Sequence, residues 1–184
     1  MEAKRELKKN GARRKSQLRV LTLSAKDTQG WLVFGNQRVR CVIGRSGRSA
    51  FKREGDGATP IGRFLLREVL FRRDRTRRPI ARVPVSAIRR QDGWCDSPGD
   101  RNYNGPVTHP YPASAERLWR DDQLYDVIGV LDYNIRPRVR GRGSAIFLHC
   151  ASDGFNPTEG CVAVRRQDLL KLLGWIAGDA VIIA

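Results

Sequence analysis

Apolar residues along this chain fall into short runs rather than long stripes. "LRVLTLSA", "WLVFG", "RVRCVIG", "GRFLLREVLF", "IARVPV", "LYDVIGVLDYN" and "SAIFLHC" are rich in β-branched and aromatic side chains and are punctuated by Gly, Pro, Asn and Asp. Runs of this length between turn formers predict strands, so the chain reads as mainly β. One stretch breaks the pattern. In "VRRQDLLKLLGWIAG", Leu169, Leu172, Leu173 and Ile176 recur at i, i+3, i+4 and i+7, which predicts a helix with one apolar stripe. Gly178 is placed to end it, and "DAVIIA" predicts a closing strand.

Two segments lack such patterning. Residues 1–16 are polar and aperiodic, which predicts a basic mobile tail ahead of a domain spanning 17–184. Between about Ser86 and Arg120, turn formers outnumber apolar pairs. Structureless loops longer than about 12–15 residues are uncommon in compact domains and often serve as lids, so a functional loop system is expected there.

A length of 184 residues fits one domain with a core that needs no disulfide or metal staple. Lys and Arg number 35 against 19 Asp and Glu, a net charge of +16. That excess attracts any polyanion, so charge alone does not choose among nucleic acid, an anionic surface and an acidic polymer. The runs Lys4–Arg19 and Arg72–Arg78 read as solvated faces. "FRRDRTRRP" brings charge without a recognition motif, which leaves nucleic-acid binding a remote alternative, and no nucleic-acid partner is expected. The N-terminus has no apolar stretch of about 7–15 residues, so no signal peptide is predicted. No apolar run approaches the roughly 18 residues of a transmembrane helix.

The chemistry concentrates in "HCASDGFNPTEGC", positions 149–161, which holds one of two histidines and two of four cysteines. Alternation along "SAIFLHC" puts Ile146, Leu148 and Cys150 on one face and Ala145, Phe147 and His149 on the other. Cys150 then reads as a small core residue. A strand, a turn-rich loop and a returning strand bring His149 near Cys161, the arrangement of a nucleophile and its base. Arg165, Arg166 and the helix N-terminus are candidates for lowering the thiol pKa. Gly160 admits close approach of a substrate carbonyl, and the N–H groups of Gly160 and Cys161 are candidate oxyanion donors. From residue types alone, a structural cysteine beside a satisfied histidine stays equally open. A metal site through His149, Cys150 and Cys161 fits poorly, because adjacent strand residues face opposite ways. The cysteines lack C-x-x-C spacing, and pairing of Cys41 with Cys95 stays open.

This segment resembles the signature of the YkuD-like L,D-transpeptidases, in which a strand histidine precedes Ser/Thr-x-Gly-Cys-Val/Ile and a helix. His149 and Thr158-Glu159-Gly160-Cys161-Val162 match in order and type. "GDGATPIGRFLL" at 55–66 looks like the family's Gly-Asp-x-x-Thr-Pro-x-Gly-x-Phe element. "DGWCDSPGDRNYN" and "YDVIGVLDYN" look like a small single-domain subgroup from Gram-negative bacteria. The resemblance covers roughly residues 18–184. It implies a YkuD-like β-sandwich or barrel-like domain with one helix in the C-terminal half and a long loop or lid region.

The resemblance also implies acyl transfer on peptidoglycan stem peptides, with a tetrapeptide donor, an amine acceptor and no metal or organic cofactor. Cys161 would be the nucleophile, His149 base and then acid, and Gly160 the oxyanion support. Water in place of the amine would make the enzyme an L,D-carboxypeptidase or amidase. Carbapenem acylation of Cys161 and a periplasmic site of action belong to the same implication. Two positions depart from the family pattern: Ala163 stands where Arg or Asn often assists substrate binding, and Glu159 where histidine is frequent. Thr158, Trp94, Tyr103, Asn104 and His109, with Tyr111, are the candidates for contact with substrate.

Overall fold

The computed structural model describes residues 17–176 and 180–184. The chain forms β1 (Leu18–Leu21), β2 (Gln29–Phe34), β3 (Gln37–Val42), β4 (Arg48–Ser49), β5 (Thr59–Pro60), β6 (Gly62–Phe71), β7 (Val85–Ala87), β8 (Asp92–Cys95), β9 (Gly105–Thr108), β10 (Ala115–Arg117), β11 (Val127–Leu131), β12 (Phe147–Cys150), β13 (Val162–Val164), α1 (Arg166–Trp175) and β14 (Ala180–Ile183).

Nine strands make one sheet in the order β11-β12-β13-β3-β2-β1-β14-β6-β7, and β6 also pairs with β11. That last pairing closes the sheet into a barrel-like ring. The ten-residue length of β6 makes closure feasible: Gly62–Leu65 pairs with β14, while its second half reaches both β7 and β11. Closure leaves few strand edges exposed.

The mainly β reading therefore holds, with a single helix among the described residues. Leu169, Leu172, Leu173 and Ile176 are all buried, and they join Leu18, Leu32, Leu148 and Val181 in the principal core. Ile176 N–H closes the helix on Leu172 O, whereas Gly178, the expected terminator, lies outside the described residues. So does the expected tail at 1–16.

A second core forms on the opposite face of β11 and β12, where Trp94, Leu118, Tyr125, Ile128, Phe147 and Cys161 meet. The two strands are consequently buried on both sides. Its cover is the segment expected to be structureless. Residues 86–120 instead carry the antiparallel sheet β10-β8-β9, whose strands of three or four residues are too short to show a two-residue period. The run "IARVPV", expected as a strand, is irregular until Val85. Pro84 has no N–H for a ladder, and its carbonyl accepts from Val69 N–H at 2.9 Å.

Candidate active site

Strands β12 and β13 run parallel, with His149 in register with Ala163 and Leu148 with Val162. The loop between them crosses back to the start of β12 before the chain resumes. Residues in register share a face, so Cys161, two positions before Ala163, lies on the face of Phe147 and His149. Cys150 faces the other way, its thiol toward Val127 O, which separates it from any shared metal site with His149.

Cys161 is 8% exposed, and its thiol is held by backbone. Phe147 N–H donates to Sγ at 3.3 Å, and Sγ–H donates to Ala145 O at 3.1 Å. Burial pushes its pKa up to about 12; Glu116 adds to the rise, while the Phe147 N–H and Lys52 oppose it. The cation acting on the thiol is thus Lys52, not the expected arginines. Arg166 pairs with Asp126 at 2.9 Å, and the Arg165 guanidinium sits 5.5 Å from the Phe155 ring centroid.

His149 is also buried, and its Nδ1 lies 2.9 Å from Cys150 O. A carbonyl only accepts, so Nδ1 carries the hydrogen and Nε2 the lone pair. Burial pulls its pKa down to about 4, against the opposing pull of backbone groups at Cys150 and Leu124. Thiol and imidazole both rest neutral.

The two sequence elements that suggested a site meet beneath Cys161. Thr59 is fully buried; it accepts from Gly44 N–H at 2.8 Å and reaches Cys161 O at 3.5 Å. Thr158 Oγ1 donates to Cys161 O at 2.7 Å. Gly160 has φ +136°, and a Cβ there would meet Ala58 O at 2.8 Å. Only glycine fits so close to the "GDGATP" backbone. Its N–H, however, donates to Thr158 Oγ1 at 3.2 Å and is engaged within the turn instead of being presented to an oxyanion. Asp56 ties the same element together, accepting from Ala58 N–H at 2.9 Å and from Lys52 Nζ at 2.5 Å.

Cys161, His149, Ala163 and Thr158 open onto one cavity of about 560 Å³. Glu116, Arg120 and Tyr125 also line it, and nothing in the sequence pattern singles out any of the three. Tyr125 O–H donates to Glu116 Oε1 at 2.6 Å, and its ring stands edge-on to His149 with centroids 5.3 Å apart. Glu159, the departure before Gly160, sits on the rim and pairs with Arg45 at 2.9 Å.

Of the expected substrate contacts, Thr158 alone lines this cavity. Trp94, Tyr103 and Asn104 are buried among the elements that hold the small sheet in place. Asn104 Oδ1 accepts from Trp94 Nε1 at 2.9 Å and from Ala145 N–H at 3.1 Å, while its Nδ2 donates to Tyr133 O and Asn134 O. Tyr103 O–H donates to Glu54 at 2.5 Å. Their polar atoms serve the fold because burial demands partners for them. His109 is half-buried against Gly93, where an added Cβ would meet its Nε2 at 2.5 Å. Tyr111 O–H donates to Asp100 at 2.8 Å. Among the described residues, no helix is long and apolar enough to cross a membrane.

No curated protein and no solved structure matches the chain. Residues 19–183 match the family model of YkuD, the L,D-transpeptidase catalytic domain. A match over nearly the whole chain, with its two signature elements joined beneath the candidate nucleophile, places this protein in the YkuD family of L,D-transpeptidase catalytic domains.

Proposed function

We propose that this protein is a cysteine-dependent L,D-transpeptidase that cross-links peptidoglycan stem peptides, and so serves cell-wall biogenesis and cell shape from the periplasm. The observation that carries the reading is the opening of the Cys161 thiol and the His149 imidazole onto one cavity, with the imidazole tautomer set by Cys150 O. His149 Nε2 takes the thiol proton as Sγ attacks the carbonyl of the third stem residue. The proton then passes to the departing D-Ala amine, leaving a thioester on Cys161. An acceptor amine resolves the thioester and restores the thiol. Phe147 N–H, already on Sγ, stabilises the thiolate as it forms and as it leaves.

The test is mass spectrometry of products from purified disaccharide-tetrapeptide, with Cys161→Ala as control. Cysteine-dependent dimer supports transpeptidation. Tripeptide without dimer makes water the acceptor and the enzyme a carboxypeptidase. No product from either protein removes the reading.

A further inference from the structure

The chain carries a net charge of +16, yet its cavity wall holds Glu54, Asp96, Glu116 and Glu159 against a single guanidinium, Arg120. Most of these are committed elsewhere. Glu54 receives Tyr103 O–H, Glu159 pairs with Arg45, and Arg120 grips Asp122 at 2.6 Å. Glu116 differs. Its Oε1 accepts from Tyr125 and lies 3.9 Å from Arg120 Nη1, while Oε2 has no hydrogen bond among the described residues. Tyr125 contacts both Glu116 and the His149 ring, which places the carboxylate one aromatic ring away from the base.

We propose that Glu116 is the base for the acceptor amine in the second half of the reaction. This inference rests on the acyl-transfer reading above. An aliphatic amine arrives as an ammonium, with an ordinary pKa near 10, and has no lone pair with which to attack. Glu116 takes one proton and frees the lone pair. The nitrogen then forms the amide bond as the C–S bond breaks, and its second proton passes through His149 to the Cys161 thiolate. One ammonium, one carboxylate and one thioester thus yield one amide, one carboxylic acid and one thiol, and Glu116 returns its proton to water. Burial raises the Glu116 carboxyl, which makes it a stronger base; Asp96 and Asp122 act in the same sense, while Tyr125 and Arg120 oppose them. Such base assistance contributes about 10²-fold or more.

The test compares Glu116→Gln with the unaltered protein on disaccharide-tetrapeptide, reading dimer and tripeptide by mass spectrometry across pH. The expected result is a dimer-to-tripeptide ratio lower by about 100-fold at pH 7, recovering as pH approaches 10 and the amine frees itself. The ratio cancels any change in the amount of folded enzyme. An unchanged ratio at pH 7, or a lowered ratio that does not recover at high pH, would overturn the assignment. Absence of D-Ala release from the unaltered protein would instead overturn the acyl-transfer reading beneath it.

Discussion

The Cys161 thiol donates its hydrogen to the carbonyl of Ala145 at 3.1 Å, so its proton rests on backbone rather than on His149. With the pKa pushed up to about 12, thiolate is scarce near neutrality. Alkylation of Cys161 by iodoacetamide, followed on its peptide by mass spectrometry, should rise about tenfold per pH unit from 7 to 10 without levelling. Lys52→Met removes the cation that favours the thiolate and should slow the reaction further at every pH. A plateau below pH 8 would show a thiolate already formed and contradict the neutral resting pair.

Asn104 joins Trp94, Ala145, Tyr133 and Asn134 through one side chain. Asn104→Ala strands buried donors at Trp94 and Ala145, at a cost of about 2–4 kcal/mol in urea unfolding. Because Asn104 does not line the cavity, KM for tetrapeptide in the protein that remains folded should not change. A raised KM with native stability would return Asn104 to the substrate.

The contrast between these two regions explains what could be read in advance. The run Gly62–Phe71 and the stripe Leu169–Ile176 are long enough for period to declare itself, and both formed as expected. The alternation around His149 also held, because β12 is buried on both faces by different cores. Trp94, Tyr103 and Asn104, candidates for substrate contact from the sequence, lie buried away from the cavity, and the difference has a physical reason. An aromatic or an amide in a turn-rich segment looks the same whether it faces solvent or caps a buried neighbour. The Glu116–Tyr125 bond was invisible because β10 and the lead into β11 meet only through the tertiary fold. The barrel-like form was legible through the family resemblance alone; that β6 and β11 are the strands that close the ring was not, since strand order leaves no trace in local periodicity.

Gly160 combines φ +136° with an Ala58 O that an added Cβ would approach to 2.8 Å. Gly160→Ala should cost about 1–3 kcal/mol in strain and displaced backbone. At this chain length that lowers Tm by a few degrees, about 2–4 °C per kcal/mol. Cross-linking should fall much further than stability, since the displaced residue is the neighbour of Cys161. Equal and small losses of both would mean that the turn absorbs the methyl group.

His149 links stability to pH. Its pKa is about 4 in the folded protein against an ordinary 6.5, because burial disfavours the imidazolium. The unfolded chain therefore binds the proton first as pH falls. The stabilisation is complete above pH 6.5 and is lost progressively as pH drops toward 4, a change of about 3 kcal/mol from this group. Urea unfolding at pH 7 and at pH 4.5 should show that fall, and His149→Gln, which cannot take up the proton, should flatten it. Catalysis should follow the same folded-state value, with the acid limb of kcat/KM lying near pH 4 rather than 6.5, because the free base persists to that pH. A limb at 6.5, abolished together with activity in the variant, would mean that the imidazole titrates in contact with water and that the cavity is open in solution.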